Sequence, residues 1–325
     1  MAEPMTARRH PLAAHRLSVS ERVAEALAAS APVVALESTL VAHGLPWPVN
    51  VETAREMAGA IEREGAVPAL IAVLDGRIRV GLDAPALERI ARDDRIVKAG
   101  AREVPVLLAT GASGATTVAG TMLCAHLAGI EVFATGGIGG VHRGAAATFD
   151  VSADLHALAR TPVAVVCSGA KSILDIPATL EVLESLGVPV VGLGTDRFPA
   201  FHVRDSGLPV PHPVRDAMEA ARVAAAVLTF GRTGLVIAHP VPAADAMDPA
   251  EVERLVEDAE RRARTAGIGG KAPTPFLLRT LAETSGGATL RTNRALLIAN
   301  ARAAAKVARH LPAARAHLAG EGTGA

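Results

Sequence analysis

Short apolar runs alternate with amphipathic stretches along most of the chain. VVAL (33–36) predicts a buried strand. After a Gly/Pro loop, NVETAREMAGAIEREG predicts a helix capped by Asn50 and ended by Gly65. VPALIAVLDGRIRVGL reads as a hairpin turning at Asp75-Gly76. VPVLLAT, ATTVAGTMLCAHLAG and IEVFAT read as strand, helix and strand, about the length a βαβ crossover requires. SADLHALAR, VAVVC, ILDIPATLEVLESLG and VPVVGL continue the alternation. The last third predicts helices at VRDAMEAARVAAAVLTF, PAEVERLVEDAERRA, TPFLLRTLAE and from about Thr289, with a short strand at LVIAH. This alternation predicts an α/β fold with a mainly parallel sheet covered by helices. With neither a linker nor a repeat, the expectation is one catalytic domain over 18–312, with flexible tails at 1–17 and 313–325.

Composition narrows the class. The 325 residues are 50% hydrophobic and 20% charged, with formal net charge zero, as in a soluble globular protein. Charge balance argues against nucleic acid or an acidic membrane as partner. With no tyrosine and one tryptophan, aromatic platforms for stacking bases are scarce. Cys124 and Cys167 sit in apolar stretches and read as small buried hydrophobes in a reducing cytoplasm. The basic N-terminus lacks the apolar core of a signal peptide, and no apolar run is long and clean enough to span a bilayer.

In a parallel sheet, ligands gather outside the carboxyl ends of the strands, where the glycine-rich segments of this chain fall. GASGATT (111–117), with Thr116 and Thr117, opens a helix and reads either as an anion cradle or as an ordinary turn. TGGIGGVHRGAAATFD (135–150) reads as a loop around a ligand, with His142 as a proton shuttle or a solvated loop histidine. In TFDVSADL (148–155), Asp150 and Asp154 flank Ser152, a helix cap; the carboxylates can hold Mg²⁺ or Mn²⁺, or Asp154 can complement the helix dipole. ALESTLVAHG places Glu37 directly behind a strand, either exposed or held neutral as a general acid, with His43 beyond it. SGAKS (168–172) is no P-loop, since Ala170 stands where glycine precedes the lysine. Lys171 reads either as a lysine kept nearly dry for Schiff-base chemistry or as one snorkelling to water.

Together, ALESTLVAHGLPWPVN, GAVPALIAVLDGRIRVGL, GATTVAGT, VFATGGIGGVHRGAAATFDVSADL, VVCSGAKSILD and GIGGKAPTPFLL resemble the pseudouridine-5′-phosphate glycosidase family, also labelled indigoidine synthase A-like. The resemblance runs from about residue 20 to 310. It implies a three-layer α/β/α fold, a cytoplasmic homotrimer and one divalent ion per subunit, usually Mn²⁺. It further implies reversible conversion of pseudouridine 5′-phosphate and water to uracil and ribose 5-phosphate. By motif, Lys171 is the implied nucleophile, Glu37 the proton donor and Asp150 the metal ligand. Substrate contacts are implied for Lys98, Thr116, Thr117, Val118, Thr135, His142, Ser152, Ala153, Asp154 and Asn293.

The implied chemistry suits these residues. The bond to be broken is carbon–carbon, so the leaving ring carbon offers no lone pair for the usual carboxylic acid to protonate. An imine between lysine and the opened ribose supplies an electron sink, and an acid then protonates the uracil carbon. Four stretches depart from the common family pattern: His239-Pro240-Val241-Pro242, Leu193-Gly194-Thr195, AGAREVP beside Lys98, and Ala299 before Asn300. None falls on Lys171, Glu37, Asp150 or Asp154; they bear on the base and phosphate pockets, and so on the choice of substrate. The rival readings are another Schiff-base C-nucleotide glycosidase or lyase on a sugar phosphate, and a catalytically silent sugar-phosphate-binding protein.

Overall fold

The computed structural model describes residues 15–268 and 273–320. Its strands are β1 (Leu17–Val19), β2 (Val33–Glu37), β3 (Val67–Leu74), β4 (Arg77–Val80), β5 (Val97–Ala99), β6 (Gly114–Thr116), β7 (Val132–Ala134), β8 (Val141–His142), β9 (Ala164–Cys167), β10 (Leu174–Asp175), β11 (Val190–Leu193), β12 (His212–Val214) and β13 (Leu235–Ala238). Eleven of these make one sheet in the order β1-β4-β3-β2-β7-β9-β13-β11-β12, with β6 also beside β3 and β5 beside β6. Neighbours run parallel except β3 against β4 and β3 against β6. β8 and β10 form a separate antiparallel pair.

Every residue of β2, β7, β9, β11 and β13 is buried, which is why these strands read as unbroken apolar runs: helices cover both faces. Successive residues still alternate between two cores. Val33, Ala35, Val165 and Cys167 join the helices Val118–Ala128, Ala153–Leu158 and Pro249–Thr265 on one face. Val34, Leu36, Ala164 and Val166 join Val49–Arg63, Ala217–Phe230 and Ala288–Leu318 on the other. The result is the expected three-layer α/β/α arrangement. Small buried side chains (Ala220, Ala221, Ala224 and Ala225 on one, Ala301, Ala304, Ala305 and Ala308 on the other) let Ala217–Phe230 pack closely on Ala288–Leu318.

The hairpin at Asp75-Gly76 is present, with both residues at positive φ as a tight two-residue turn requires. Three expectations fail. VPVLLAT is not a strand: it forms the helix Glu103–Thr110. Glu103 accepts a hydrogen bond from the Gly100 amide at 3.1 Å, and Gly111, at φ +73°, closes the far end, so end signals outweigh a short apolar run. The strand of that region is the short β6. Asn50 does not cap the next helix, which starts one residue earlier at Val49. Its buried amide instead donates to the Val41 carbonyl at 2.7 Å. Finally, residues 313–318 are no tail: the last helix runs through Pro312 to Leu318 and buries Ala314. Of the expected tails, residues 1–14 and 321–325 lie outside the described residues, while Leu17 already belongs to the sheet. No helix among the described residues is long and apolar enough to cross a membrane.

The continued helix yields a direct check. Ala314→Glu, which forces a charge into the core, is expected to cost about 2–4 kcal/mol, whereas Ala313→Glu on the exposed face costs under about 0.5. Equal denaturant midpoints for the two variants would return this segment to a loose tail.

Candidate active site

Three adjacent parallel strands, β2, β7 and β9, deliver the chemistry. Leu36 pairs with Ala134 and Ala134 with Val166, so the residues that follow emerge level with one another. Glu37 ends β2, Thr135 follows β7, and Ser168-Gly169-Ala170-Lys171 leaves β9. Gly169 turns the chain at φ +75°, where a Cβ would lie 1.9 Å from the Pro199 carbonyl oxygen, so no other residue fits. The Gly169 carbonyl accepts from the Ile138 amide at 3.0 Å, and the Lys171 amide donates to the Ile138 carbonyl at 3.2 Å. The lysine loop and the glycine-rich loop after β7 therefore hold each other in place.

Glu37, Lys98, Thr135, Lys171, His43 and Asn293 line one pocket, closed by Phe201, Leu278 and Leu297. Its cavity of about 70 Å³ shares His43, Gly44, Leu45, Leu278 and Asn293 with an adjoining cavity of about 500 Å³, which leads into it. His43 rides on a π-helical turn, Leu40–Gly44, that Asn50 ties down through Val41. The capping residue expected from the sequence thus positions a wall of the pocket.

The acid is the dry group. Glu37 is 7% exposed, and burial raises its carboxyl pKa above the ordinary value. The charge of Lys171, the Thr135 hydroxyl donating to Oε1, and Lys98 pull the other way, while Asp154 adds to the rise. Lys171 is half-buried, contrary to the expectation of a nearly dry lysine. Its loop leads directly into a pocket that has an opening. His43, exposed at the mouth, has its pKa lowered by partial desolvation and then by the charge of Lys98. His142 is likewise lowered, by burial first and by Lys171 and Lys98, against the opposing pull of Asp150.

Several sequence candidates stand behind this pocket rather than in its wall. Asp154 is 6% exposed and its carboxylate accepts from the Ala119 amide at 3.0 Å and the Gly139 amide at 2.9 Å. It occupies the start of the helix that follows GATT, so the anion cradle read there already holds an anion of the chain's own. Thr117 caps the same helix by accepting from the Gly120 amide at 3.3 Å; Thr116 donates to the Ile71 carbonyl at 2.7 Å; Val118 is buried. Ser152 caps the next helix, accepting from the Asp154 amide at 3.2 Å, and Ala153 begins it. A Cβ on Gly139 would meet Ser152 Oγ at 2.2 Å, which shows how tightly this frame closes.

Asp150 is turned to His142, with Oδ2 3.9 Å from Nδ1. No group of three or more His, Cys, Asp or Glu among the described residues is placed to hold a metal ion. A Mn²⁺ caged by protein ligands alone does not fit, and no step below runs through a metal. Both cysteines are free and buried, their thiols pushed up to about 12 by desolvation, as small hydrophobes should be.

Sequence reasoning missed Phe201 and Asn300. Phe201 adopts φ +62°, and its ring meets Gly137 so closely that a Cβ there would lie 2.6 Å away. Nothing in FPAF signals this. Asn300 is fully buried, and its amide donates to the Thr135 carbonyl at 2.9 Å and to Ser168 Oγ at 3.0 Å. Its polarity on the apolar face of an alanine-rich helix was the available signal.

Residues 22–310 match the family model described as Indigoidine synthase A like protein. A relative from Caldanaerobacter subterraneus, named pseudouridine-5′-phosphate glycosidase, is 51% identical over 293 residues, covering 90% of this chain and 95% of its own. One of the same name from Methylobacterium nodulans is 52% identical over 318 residues, covering 97% of this chain and 93% of its own. Among solved structures, the prealnumycin C-glycosynthase AlnA in complex with ribulose 5-phosphate superposes with TM-score 0.86 at 42% identity, over 93% of this chain and 98% of that one. An indigoidine synthase A-like protein from Thermotoga maritima gives TM-score 0.83 at 36% identity, over 91% and 96%. With that match spanning nearly all of the sheet and both loops that build the pocket, the chain belongs to the Indigoidine synthase A like family.

Proposed function

We propose that the chain is a pseudouridine-5′-phosphate glycosidase, interconverting pseudouridine 5′-phosphate and water with uracil and ribose 5-phosphate. The observation that carries the reading is the convergence in one pocket of a buried, pKa-raised Glu37 at the end of β2, Lys171 beyond β9 and Lys98 within β5. The names of the relatives at 51% and 52% identity support the same activity.

The steps follow from these groups. Lys171 in its amine form attacks the anomeric carbon; a carbon–nitrogen bond forms, and the bond to the ring oxygen breaks as that oxygen takes the proton the nitrogen gives up, which leaves a secondary amine with its lone pair. Glu37, whose pKa burial raises, delivers its proton to the uracil carbon. The nitrogen lone pair closes to an iminium as the carbon–carbon bond breaks, and uracil leaves. Water then hydrolyses the iminium, returning the amine and releasing ribose 5-phosphate. Lys98 is the cation in the pocket suited to the substrate phosphate, which supplies binding energy remote from the reacting carbon. A divalent ion would be held by Asp150, beside His142, with water and substrate oxygens completing its shell. The departures at Leu193, His239 and Ala299 line a different cavity, which favours an unaltered substrate over a new one. The homotrimer and cytoplasmic setting implied by the resemblance belong to the same proposal; sedimentation at three chains per particle is expected, and a monomer would remove the trimer.

Lys171→Ala is expected to lower turnover at least about 10³-fold. Borohydride with ribose 5-phosphate should leave a reduced adduct on Lys171 of the unsubstituted protein, read by peptide mass spectrometry. Wild-type-like turnover in the variant, or an adduct on Lys98, overturns the assignment.

Glu37→Gln should lose about 10²–10⁴-fold in turnover yet still form the borohydride adduct. Because the acid must be protonated, activity should fall as pH rises through the Glu37 pKa. The Thr135 hydroxyl lowers that pKa, so Thr135→Val should move the alkaline limb of kcat to higher pH. A limb that moves down instead contradicts the role given to Glu37.

A further inference from the structure

Next to the three strands of the catalytic pocket, the sheet continues as β13, β11 and β12, again parallel. Their carboxyl ends lead to a second cavity of about 360 Å³. His239 follows β13, Leu193-Gly194 ends β11 and Arg215 follows β12. Arg302 and Lys306 on the last helix complete the charged wall, while Ala217, Ala299 and Ala303 leave the room. Three of the positions that depart from the common family pattern, Leu193, His239 and Ala299, face this one cavity.

The lining carries arginine, lysine and histidine and no carboxylate. Neutralisation from outside it is incomplete. Arg215 is paired with Glu219. Arg302 and Lys306, however, share one carboxylate, Glu64, each at 3.8 Å, beyond hydrogen-bond range. Two cations with half an anion apiece, on side chains about half exposed, can turn to a ligand at little cost.

The cavity also has a wire to the catalytic loops. His239 Nδ1 lies 3.0 Å from Asn300 Oδ1. Since the Asn300 amide nitrogen is committed to Thr135 and Ser168, its oxygen is the acceptor and His239 Nδ1 carries the proton. The chain of contacts therefore runs His239, Asn300, Thr135, and from the Thr135 hydroxyl to Glu37.

We propose that the cavity at the ends of β13, β11 and β12 is a second binding site, taking a small phosphate-class anion on Arg302 and Lys306 beside His239. The ligand's oxygens meet the guanidinium and ammonium groups, and the small alanine and glycine floor admits a phosphate or a short phosphate ester. Its occupancy is felt at Asn300.

Calorimetric titration with inorganic phosphate on the full chain tests this, using the unsubstituted protein, Lys98→Met, and the double variant Arg302→Gln/Lys306→Met. Two sites per chain are expected in the unsubstituted protein. Lys98→Met should keep the site at Arg302 and Lys306; the double variant should lose it, with basal turnover within about two-fold. The Asn300 side-chain amide signals in NMR should shift with phosphate in the unsubstituted and Lys98→Met proteins and stay fixed in the double variant. A single site abolished by Lys98→Met, or unaltered binding in the double variant, overturns the proposal whether or not the catalytic reading holds.

Discussion

A carboxyl group is buried beside an ammonium at the ends of neighbouring parallel strands, and the rest of the molecule is arranged around that conflict. Glu37 is dry enough to resist ionisation, yet Lys171, Lys98 and the Thr135 hydroxyl all favour its charged form. Burial wins because helices cover both faces of β2 and leave the carboxyl almost no water. A carboxyl whose pKa is raised in this way is suited to protonating a carbon.

The fold supplies precision by making loops hold one another. The lysine turn and the glycine-rich loop exchange backbone hydrogen bonds through Ile138, and Phe201 presses on Gly137 from above. Asp154, fixed by two backbone amides, anchors the helix start behind them. Asn300 binds the ends of β7 and β9 from the opposite layer and continues to His239. The same sheet edge thus serves two crevices, one acidic and lysine-bearing, the other cationic, with a shared asparagine between them.

Much of this was legible in the chain. Fully apolar runs announced buried parallel strands, and Asp75-Gly76 announced its hairpin. What failed, failed for identifiable reasons. VPVLLAT has the composition of a strand, and its helix depends on Glu103 and Gly111 outside the run. Asn50 has the chemistry of a cap but spends it on Val41, a contact no local pattern encodes. GATT left an anion cradle and an ordinary turn both open because the acid at that helix start, Asp154, lies far along the sequence. The segment from 313 read as a tail, although packing of Leu311 and Ala314 carries the last helix past Pro312. The lysine motif singled out Lys171, but how far that residue is buried depends on a pocket assembled from distant segments.

The central claim is that Glu37 holds its proton because it is buried, against the charge of Lys171. Carbon-13 NMR titration of the Glu37 side-chain carboxyl tests it without reference to turnover. The account predicts a midpoint above the ordinary 4.5, moving higher still in Lys171→Met. A carboxyl that titrates at or below 4.5, or one indifferent to loss of the lysine, would contradict it.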